Sequence, residues 1–247
     1  MNGGDCTALL SIMVAFNRDA FFLVTSTMTV ICSIFAILPL LGRALSYSLF
    51  YNALLSAFAA LMYPVYYRNA DMLKTQGVRA TAQAALSSNN FQLALFCLFW
   101  FFGGGGPSAA QLMPVALPAA VQAVVVACKM PALKTKVPGL QSLYERLHAA
   151  LPQLLASSAM LEIVPFFLLL LRMRVMNAML YAQYLRLRLQ CQDKSVYRIG
   201  FPQGHTVYFY HYSTWQRIGG WVDPLVSRVP PLRTAVAAAS NWFLGRR

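Results

Sequence analysis

Charged side chains are scarce in this chain of 247 residues. Asp, Glu, Lys and Arg make up 11% of it, against about a quarter of an ordinary soluble domain. Only seven residues are acidic, and residues 80–128 contain neither a charged residue nor a histidine. Hydrophobic residues account for 58% of the sequence, and the mean hydropathy is +0.54. These values exclude an ordinary soluble domain and indicate an integral membrane protein.

The residues that build catalytic and metal sites are also sparse. Three histidines and seven acids are scattered over different segments, and the sequence contains no nucleophile motif, phosphate-binding loop or metal-ligand spacing. The five cysteines are an odd number, and no two of them form a C-x-x-C pair. We therefore predict a protein that is not an enzyme, without disulfides, metal or cofactor, and with bound phospholipids only.

The net charge of +13 is compatible with two classes of partner. One is nucleic acid. The other is the membrane itself, because basic residues collect in cytosolic loops and are attracted to anionic headgroups. In a chain this apolar the second interpretation is favoured, so we predict the lipid bilayer and its anionic lipids as partners and no nucleic acid.

The uncharged stretch 80–128 organises the sequence. As one α-helix its 49 residues would be about 74 Å long, more than twice the ~30 Å hydrocarbon core of a bilayer. Four glycines followed by Pro107 mark the point where the chain folds back, because this composition disfavours a helix interior. The pattern predicts a helical hairpin with spans over residues 86–102 and 109–128.

A second hairpin is predicted upstream, with spans over residues 20–41 and 46–67 that turn at Gly42. Residues 1–19 lack the features of a cleaved signal or a mitochondrial presequence, and we interpret them as a retained N-terminal segment with a short interfacial helix. The connectors 68–79 and 129–148 carry seven basic residues, against one at the two turns. This asymmetry places both connectors and the N-terminus in the cytosol, or in the matrix of a mitochondrion.

The apolar run 151–171 is ambiguous because it contains Glu162 and Pro165. If it crossed the membrane, the basic region 172–247 would emerge on the other side, against the charge bias. A kinked, re-entrant or interfacial segment is therefore favoured over a fifth span. We interpret Glu162 as an intramembrane polar residue that pairs with an Arg or accepts a hydrogen bond beside Pro165, rather than as a proton relay.

The C-terminal region 172–247 contains two predicted amphipathic helices, residues 175–190 and 232–247. Such helices lie on membranes, and packing against the spans or against a partner is an equal alternative. The predicted membrane-interface residues of the second helix are Leu232, Arg233, Val236, Trp242, Phe243, Arg246 and Arg247.

Between these helices, residues 197–217 are rich in aromatic side chains and do not follow a helical pattern throughout. Aromatic residues and Arg are enriched in the cores of protein interfaces. The candidates for docking a partner are Tyr208, Tyr210, Tyr212, Trp215 and Arg217.

An ordered set of short motifs resembles the transmembrane protein 33 family, which includes yeast pore-membrane proteins. The resemblance covers roughly residues 20–190 and rests on Ile31-Cys32-Ser33, Leu38-Pro39-Leu40-Leu41-Gly42, Tyr51-Asn52-Ala53-Leu54-Leu55-Ser56-Ala57, residues 79–86, Met113-Pro114-Val115, Leu161-Glu162-Ile163 with Pro165, and Tyr184-Leu185-Arg186-Leu187-Arg188. The glycine run 103–106 and the aromatic segment 197–215 lie outside it.

The resemblance implies a non-enzymatic protein of the endoplasmic reticulum membrane and nuclear envelope. Family members associate with reticulon-like membrane-shaping proteins and, in yeast, assist nuclear-pore distribution through an amphipathic C-terminal helix, a role for residues 232–247 here. We therefore expect a membrane-organising scaffold. The alternative is an accessory structural subunit of a larger membrane complex, for example a respiratory or ATP synthase assembly of the mitochondrial inner membrane.

Overall fold

The computed structural model describes residues 3–38, 41–103, 106–197 and 199–228, together with 231, 233–234, 236–238 and 241. Its regular structure is almost entirely helical, and four of its helices are long and apolar enough to cross a membrane. The prediction of an all-α integral membrane protein is confirmed.

The first hairpin consists of α1 (Gly3–Ile37) and α2 (Arg43–Ser87). The two helices run antiparallel: the Ser46 hydroxyl donates a hydrogen bond of 2.5 Å to the Ala36 carbonyl near the turn, and Phe22 meets Tyr63 edge to face farther away. Helix α1 begins far upstream of the predicted span, so the backbone of residues 3–17 continues the same helix rather than forming a separate one.

Helical structure also occupies the predicted connector 68–79, where α2 consists of two helical stretches that meet at a kink at Gly77. Only Gly77 departs from helical geometry, with φ 78° and ψ 175°, a conformation that residues with a Cβ rarely adopt. Hydropathy does not indicate this helix because the segment is polar. Helix formation does not require apolar residues, since many polar residues have a high helix propensity.

The central hairpin consists of α3 (Asn89–Phe102) and α4 (Ala109–Lys129). Ser88 alone separates α3 from α2, and its extended backbone breaks the helix. Gly103 ends α3 where an added Cβ would lie 2.5 Å from the Phe99 carbonyl oxygen, so the glycine permits this close turn. The bounds of α4 agree with the predicted segment 109–128 to within one residue. Helix α3 ends at the predicted residue 102 but begins three residues after the predicted residue 86.

A short helix, α5 (Pro131–Lys136), leads to α6 (Leu140–Leu171). Helix α6 contains Pro152 and Pro165 yet continues through both, and the predicted segment 151–171 forms its C-terminal part without reversing direction. It packs along α4, where the Ser158 hydroxyl donates to the Pro114 carbonyl.

Four helices qualify as candidate spans among the residues described, namely α1 from Arg18, α2, α4 and α6. The hydropathy pattern predicts the third of four spans at residues 86–102, whereas in the structure α6 is a candidate span and the shorter α3 is not. With 14 residues α3 is about 21 Å long, shorter than the hydrocarbon core. The extended backbone of Ser88 ends the preceding helix, and Asn89 and Asn90, the first residues of α3, are hydrogen-bonded to the segment 193–197.

The C-terminal region returns to these helices. Helix α7 (Val175–Gln190) runs back along α6, and a two-residue antiparallel pair follows, β1 (Ser195–Val196) with β2 (Ile199–Gly200). A 3₁₀ turn at Pro202–Gly204 precedes α8 (Val207–Val226). Part of the aromatic segment is therefore non-helical, as predicted, and the rest forms α8.

Candidate functional site: a buried polar cluster

Five polar side chains from four helices meet inside the protein: Asn89 of α3, Glu162 of α6, Tyr184 and Arg188 of α7, and His211 of α8. We call this group the polar cluster. All five are buried, with Glu162 only 1% exposed and Arg188 only 4% exposed. Buried charges are costly unless they are paired and hydrogen-bonded, so the geometry of this cluster decides whether it stabilises the fold.

Glu162 and Arg188 form a two-point ion pair. The Arg188 Nε lies 2.8 Å from Glu162 Oε2, and Arg188 Nη2 lies 3.0 Å from Oε1. Such bidentate pairs are stronger and more directional than single contacts. The Tyr184 hydroxyl donates a third bond to Oε2 at 2.8 Å, and the Tyr181 hydroxyl donates to the Glu162 main-chain carbonyl at 2.6 Å.

Asn89 extends this pair to the N-terminus of α3. Its side-chain oxygen accepts a hydrogen bond from Arg188 Nη1, and its Nδ2 donates to the Ser195 carbonyl at 2.6 Å. The Asn89 backbone N–H donates to the Asp193 carboxylate at 3.1 Å. One residue at the start of α3 therefore binds both the end of α7 and the segment that leads into β1.

Asn90 forms a second attachment beside the polar cluster. Its Nδ2 donates to the Tyr197 carbonyl at 2.9 Å, and its Oδ1 accepts from the Tyr197 backbone N–H at 2.6 Å. Tyr197 has a φ of 53°, an uncommon conformation for a residue with a side chain. The two bonds, with a third from the Tyr197 hydroxyl to the Val115 carbonyl, hold the β1–β2 turn against α3 and α4.

His211 brings α8 to the cluster. Its Nε2 lies 3.3 Å from Glu162 Oε2, and the side chain is 1% exposed. Burial lowers the pKa of His211, and the nearby Glu162 carboxylate opposes that effect without reversing it. Burial therefore favours the neutral form of His211, next to the oppositely charged Glu162 and Arg188.

A cavity of about 20 Å³ adjoins these side chains, lined by Asn89, Glu162, Arg188, Tyr210 and His211 among others. This volume suffices for about one water molecule. Within the described part of the chain, no three His, Cys, Asp or Glu residues are placed to hold a metal ion. The arrangement is suited to joining helices through fixed charges and hydrogen bonds.

The predicted docking residues are spread over α8. Tyr208 and Tyr212 stack on each other with ring centroids 5.3 Å apart and are half-buried, as is Trp215, while Arg217 is exposed. Tyr210 is 5% exposed and packs edge to face on Phe201 in the core. We therefore correct that assignment, because a side chain in the core offers no docking surface.

The predicted membrane-interface residues lie near the end of the chain. Arg233 and Val236 are helical and exposed. Leu232, Trp242, Phe243, Arg246 and Arg247 fall outside the described residues. The interfacial role of this segment stays a prediction.

The sequence pattern indicates Glu162 as an unusual residue but does not indicate its neighbours Asn89, Asn90, Arg188 and His211. A usable signal was present for two of them: Ser88-Asn89-Asn90 is a run of residues that favour helix starts, inside an otherwise apolar stretch. The other contacts join residues 26 to 107 positions apart, and no sequence pattern specifies them.

Comparison with known proteins identifies the family. The model of the family described as transmembrane protein 33/nucleoporin POM33 matches residues 4–218, including the glycine run and the aromatic segment that the motif resemblance did not cover. No curated protein and no solved structure matches the chain. The family is not known as one of enzymes, and its description is consistent with the endoplasmic reticulum and nuclear pore membrane. The chain is a membrane protein that belongs to the transmembrane protein 33/nucleoporin POM33 family.

Proposed function

We propose that this protein is a non-enzymatic scaffold that organises membrane of the endoplasmic reticulum and nuclear envelope. The observation that carries the proposal is that the buried ionic chemistry described above joins the chain's own helices. Glu162 and Arg188 bind each other, and Asn89 connects them to a third helix. The membrane domain and the region that follows it thereby become one unit, as a scaffold requires.

The shape of this unit supports a role in membrane organisation. Hairpins such as α1–α2 occupy area within the bilayer, and a basic amphipathic helix after residue 228 would add area at its surface. Unequal area in the two leaflets favours curvature. Anionic phospholipids are the proposed lipid partners, and reticulon-like or nuclear-pore proteins are the proposed protein partners.

Reconstitution of the purified chain into liposomes containing anionic phospholipid tests the proposal. We expect tubules or smaller vesicles by electron microscopy as the protein-to-lipid ratio rises. A chain ending at residue 228 is the matched comparison, because it keeps α1 to α8 and lacks the predicted interfacial helix; it should remodel less. Unchanged vesicles at every ratio with the full chain would contradict a membrane-shaping role.

An accessory subunit of a larger membrane complex is the second candidate, and the surface of α8 favours it. Phe209 is 45% exposed and Trp221 is 66% exposed on this helix, and Arg217 on the same helix is also exposed. Purification from native membranes in mild detergent separates the two candidates. Stoichiometric subunits of one complex would support the accessory role, and reticulon-like or nuclear-pore proteins would support the scaffold.

A further inference from the structure

The turn between α6 and α7 exposes a large apolar surface. Leu171, Met173 and Met176 are 80%, 81% and 71% exposed, and Met179 and Leu180 continue the surface along the same helix. Isolated exposed apolar residues are common, but a contiguous surface of this kind marks contact with a partner or a membrane. This surface covers the end of α6 and the first half of α7.

The exposed face of α6 changes character along its length. In its first half the exposed residues are mostly polar, among them Gln141, Glu145, His148 and Gln153. From residue 167 onward they are apolar: Phe167, Leu168, Leu170 and Leu171. The first half therefore suits water, whereas the second half suits lipid, and the apolar part is continuous with the exposed face of α7.

Two arginines mark the end of this apolar surface. Arg172 and Arg174 are both exposed, on either side of Met173. A charged side chain is costly in the hydrocarbon core, whereas Arg at the end of a membrane helix reaches the phosphate groups. The charge pattern thus places the turn in a headgroup layer, with the apolar residues of both helices below it.

The inner face of α7 fixes how it can lie. Ala178, Tyr181 and Leu185 are fully buried against the other helices, and Arg188 is held by Glu162. Glu162 is nine residues from Leu171, which is about 14 Å along the helix axis. Helix α7 is therefore fastened alongside α6 and cannot lie flat on the surface as a separate amphipathic helix.

We propose that α6 and α7 form a hairpin embedded in the bilayer, with Arg172 and Arg174 among the lipid phosphates and Met176, Met179 and Leu180 against acyl chains. The occupant of this surface is lipid rather than a second protein. The inference does not depend on the scaffold function, because a hairpin can be embedded whether or not the protein shapes the membrane.

Site-specific photocrosslinking in native membranes tests this assignment. Benzoylphenylalanine replaces Met176 or Leu180 in the full chain, and the adducts formed on illumination are identified by mass spectrometry. Both side chains are exposed, so the substitution leaves the packing intact. We expect phospholipid adducts at both positions.

Two further positions calibrate the yield. Met28→benzoylphenylalanine lies on the exposed side of the candidate span in α1 and gives the yield for a lipid-facing residue. His148→benzoylphenylalanine lies on the polar half of α6 and gives the background. Lipid yields at 176 and 180 within twofold of that at 28 support the embedded hairpin. Adducts to protein, or lipid yields no higher than at 148, overturn it.

Discussion

The α1–α2 and α6–α7 hairpins are held together in different ways. Between α1 and α2 the described contacts are mostly apolar and close, with the Ser46 to Ala36 bond near the turn and Phe22 against Tyr63. Between α6 and α7 they are ionic and phenolic: Glu162 binds Arg188, Tyr184 and, through its carbonyl, Tyr181. Both helices of the α1–α2 hairpin are candidate membrane spans, whereas in the α6–α7 hairpin only α6 is one.

The difference reflects where association energy comes from in a membrane. Lipid tails are as apolar as Leu, so apolar burial alone does not drive helices together there, and close packing of small residues or interhelical polar bonds does. The α1–α2 hairpin follows the first route, as the buried Ser26, Thr29, Ser33 and Ala36 of α1 indicate. The α6–α7 hairpin follows the second, which concentrates its stability in few side chains.

The largest expected effect is therefore at Arg188. Arg188→Leu leaves the Glu162 carboxylate buried without its cation, and removing one partner of a buried pair costs about 3 to 5 kcal/mol. We expect a matching fall in thermal stability in detergent, with early protease cleavage after residue 190. Arg217→Leu is the control, because this arginine is exposed.

A double variant sharpens the same point. Glu162→Leu with Arg188→Leu removes both charges, and apolar replacement of a whole buried pair is often close to neutral. It should recover much of the stability that Arg188→Leu loses. Equal losses in the single and double variants would mean that the pair has no special role and that packing volume alone matters.

A smaller effect is expected at Asn90. Asn90→Ala leaves the Tyr197 N–H and carbonyl without the two bonds that hold them, and an unsatisfied buried polar group costs about 1 to 3 kcal/mol. Faster hydrogen exchange across residues 193–201 should report it. The exposed Asn52→Ala is the control. Equal exchange rates in the two variants would show that Asn90 does not stabilise residues 193–201.

The hydrogen bond between α1 and α2 should matter less than either. Ser46→Ala removes the hydroxyl that binds the Ala36 carbonyl, and interhelical hydrogen bonds in membrane proteins contribute about 0.6 kcal/mol on average. Thermal stability should fall slightly. The Ser56 hydroxyl bonds within its own helix, so Ser56→Ala should have no measurable effect. A loss as large as that of Arg188→Leu would abolish the contrast between the hairpins.

The smallest effect at neutral pH is expected at His211. Because burial lowers its pKa in the folded protein, the unfolded state binds more protons below about pH 6.5, and stability falls as the pH falls. His211→Gln should leave stability near pH 7.5 nearly unchanged and flatten the acid limb of the profile. The exposed His148→Gln is the control and should leave the acid limb of the stability profile unchanged. A stability that rises on acidification would show that attraction to Glu162 dominates.

Much of the helical framework follows from the sequence. The predicted segment 109–128 is α4 within one residue, and 175–190 coincides with α7, because hydropathy and helical periodicity are local properties. The helical connector in α2 was missed because its sequence is polar. The break at Ser88 was missed because no charge interrupts the apolar stretch there.

The polar cluster could not be derived in the same way. Glu162 stands out as an acid in an apolar run, but its partners depend on how α3, α6, α7 and α8 align, and each helix offers several polar positions. Arg186 and Arg188 are equally plausible partners in the sequence. Only the register between α6 and α7 selects Arg188, and that register depends on the turn at Met173, which has a positive φ of 56°.

The long separation between Asn89 and its partners has a consequence for how the chain is made. Asn89 and Asn90 bind residues more than 100 positions downstream, which the ribosome supplies about 5 to 20 s later at its usual rate. Until these residues are synthesised, Asn89 and Asn90 lack their hydrogen-bond partners, and the Glu162 carboxylate lacks the Arg188 cation. A nascent chain that stops before Arg188 thus carries an uncompensated acid in a membrane helix, a feature by which incomplete copies can be told from finished ones.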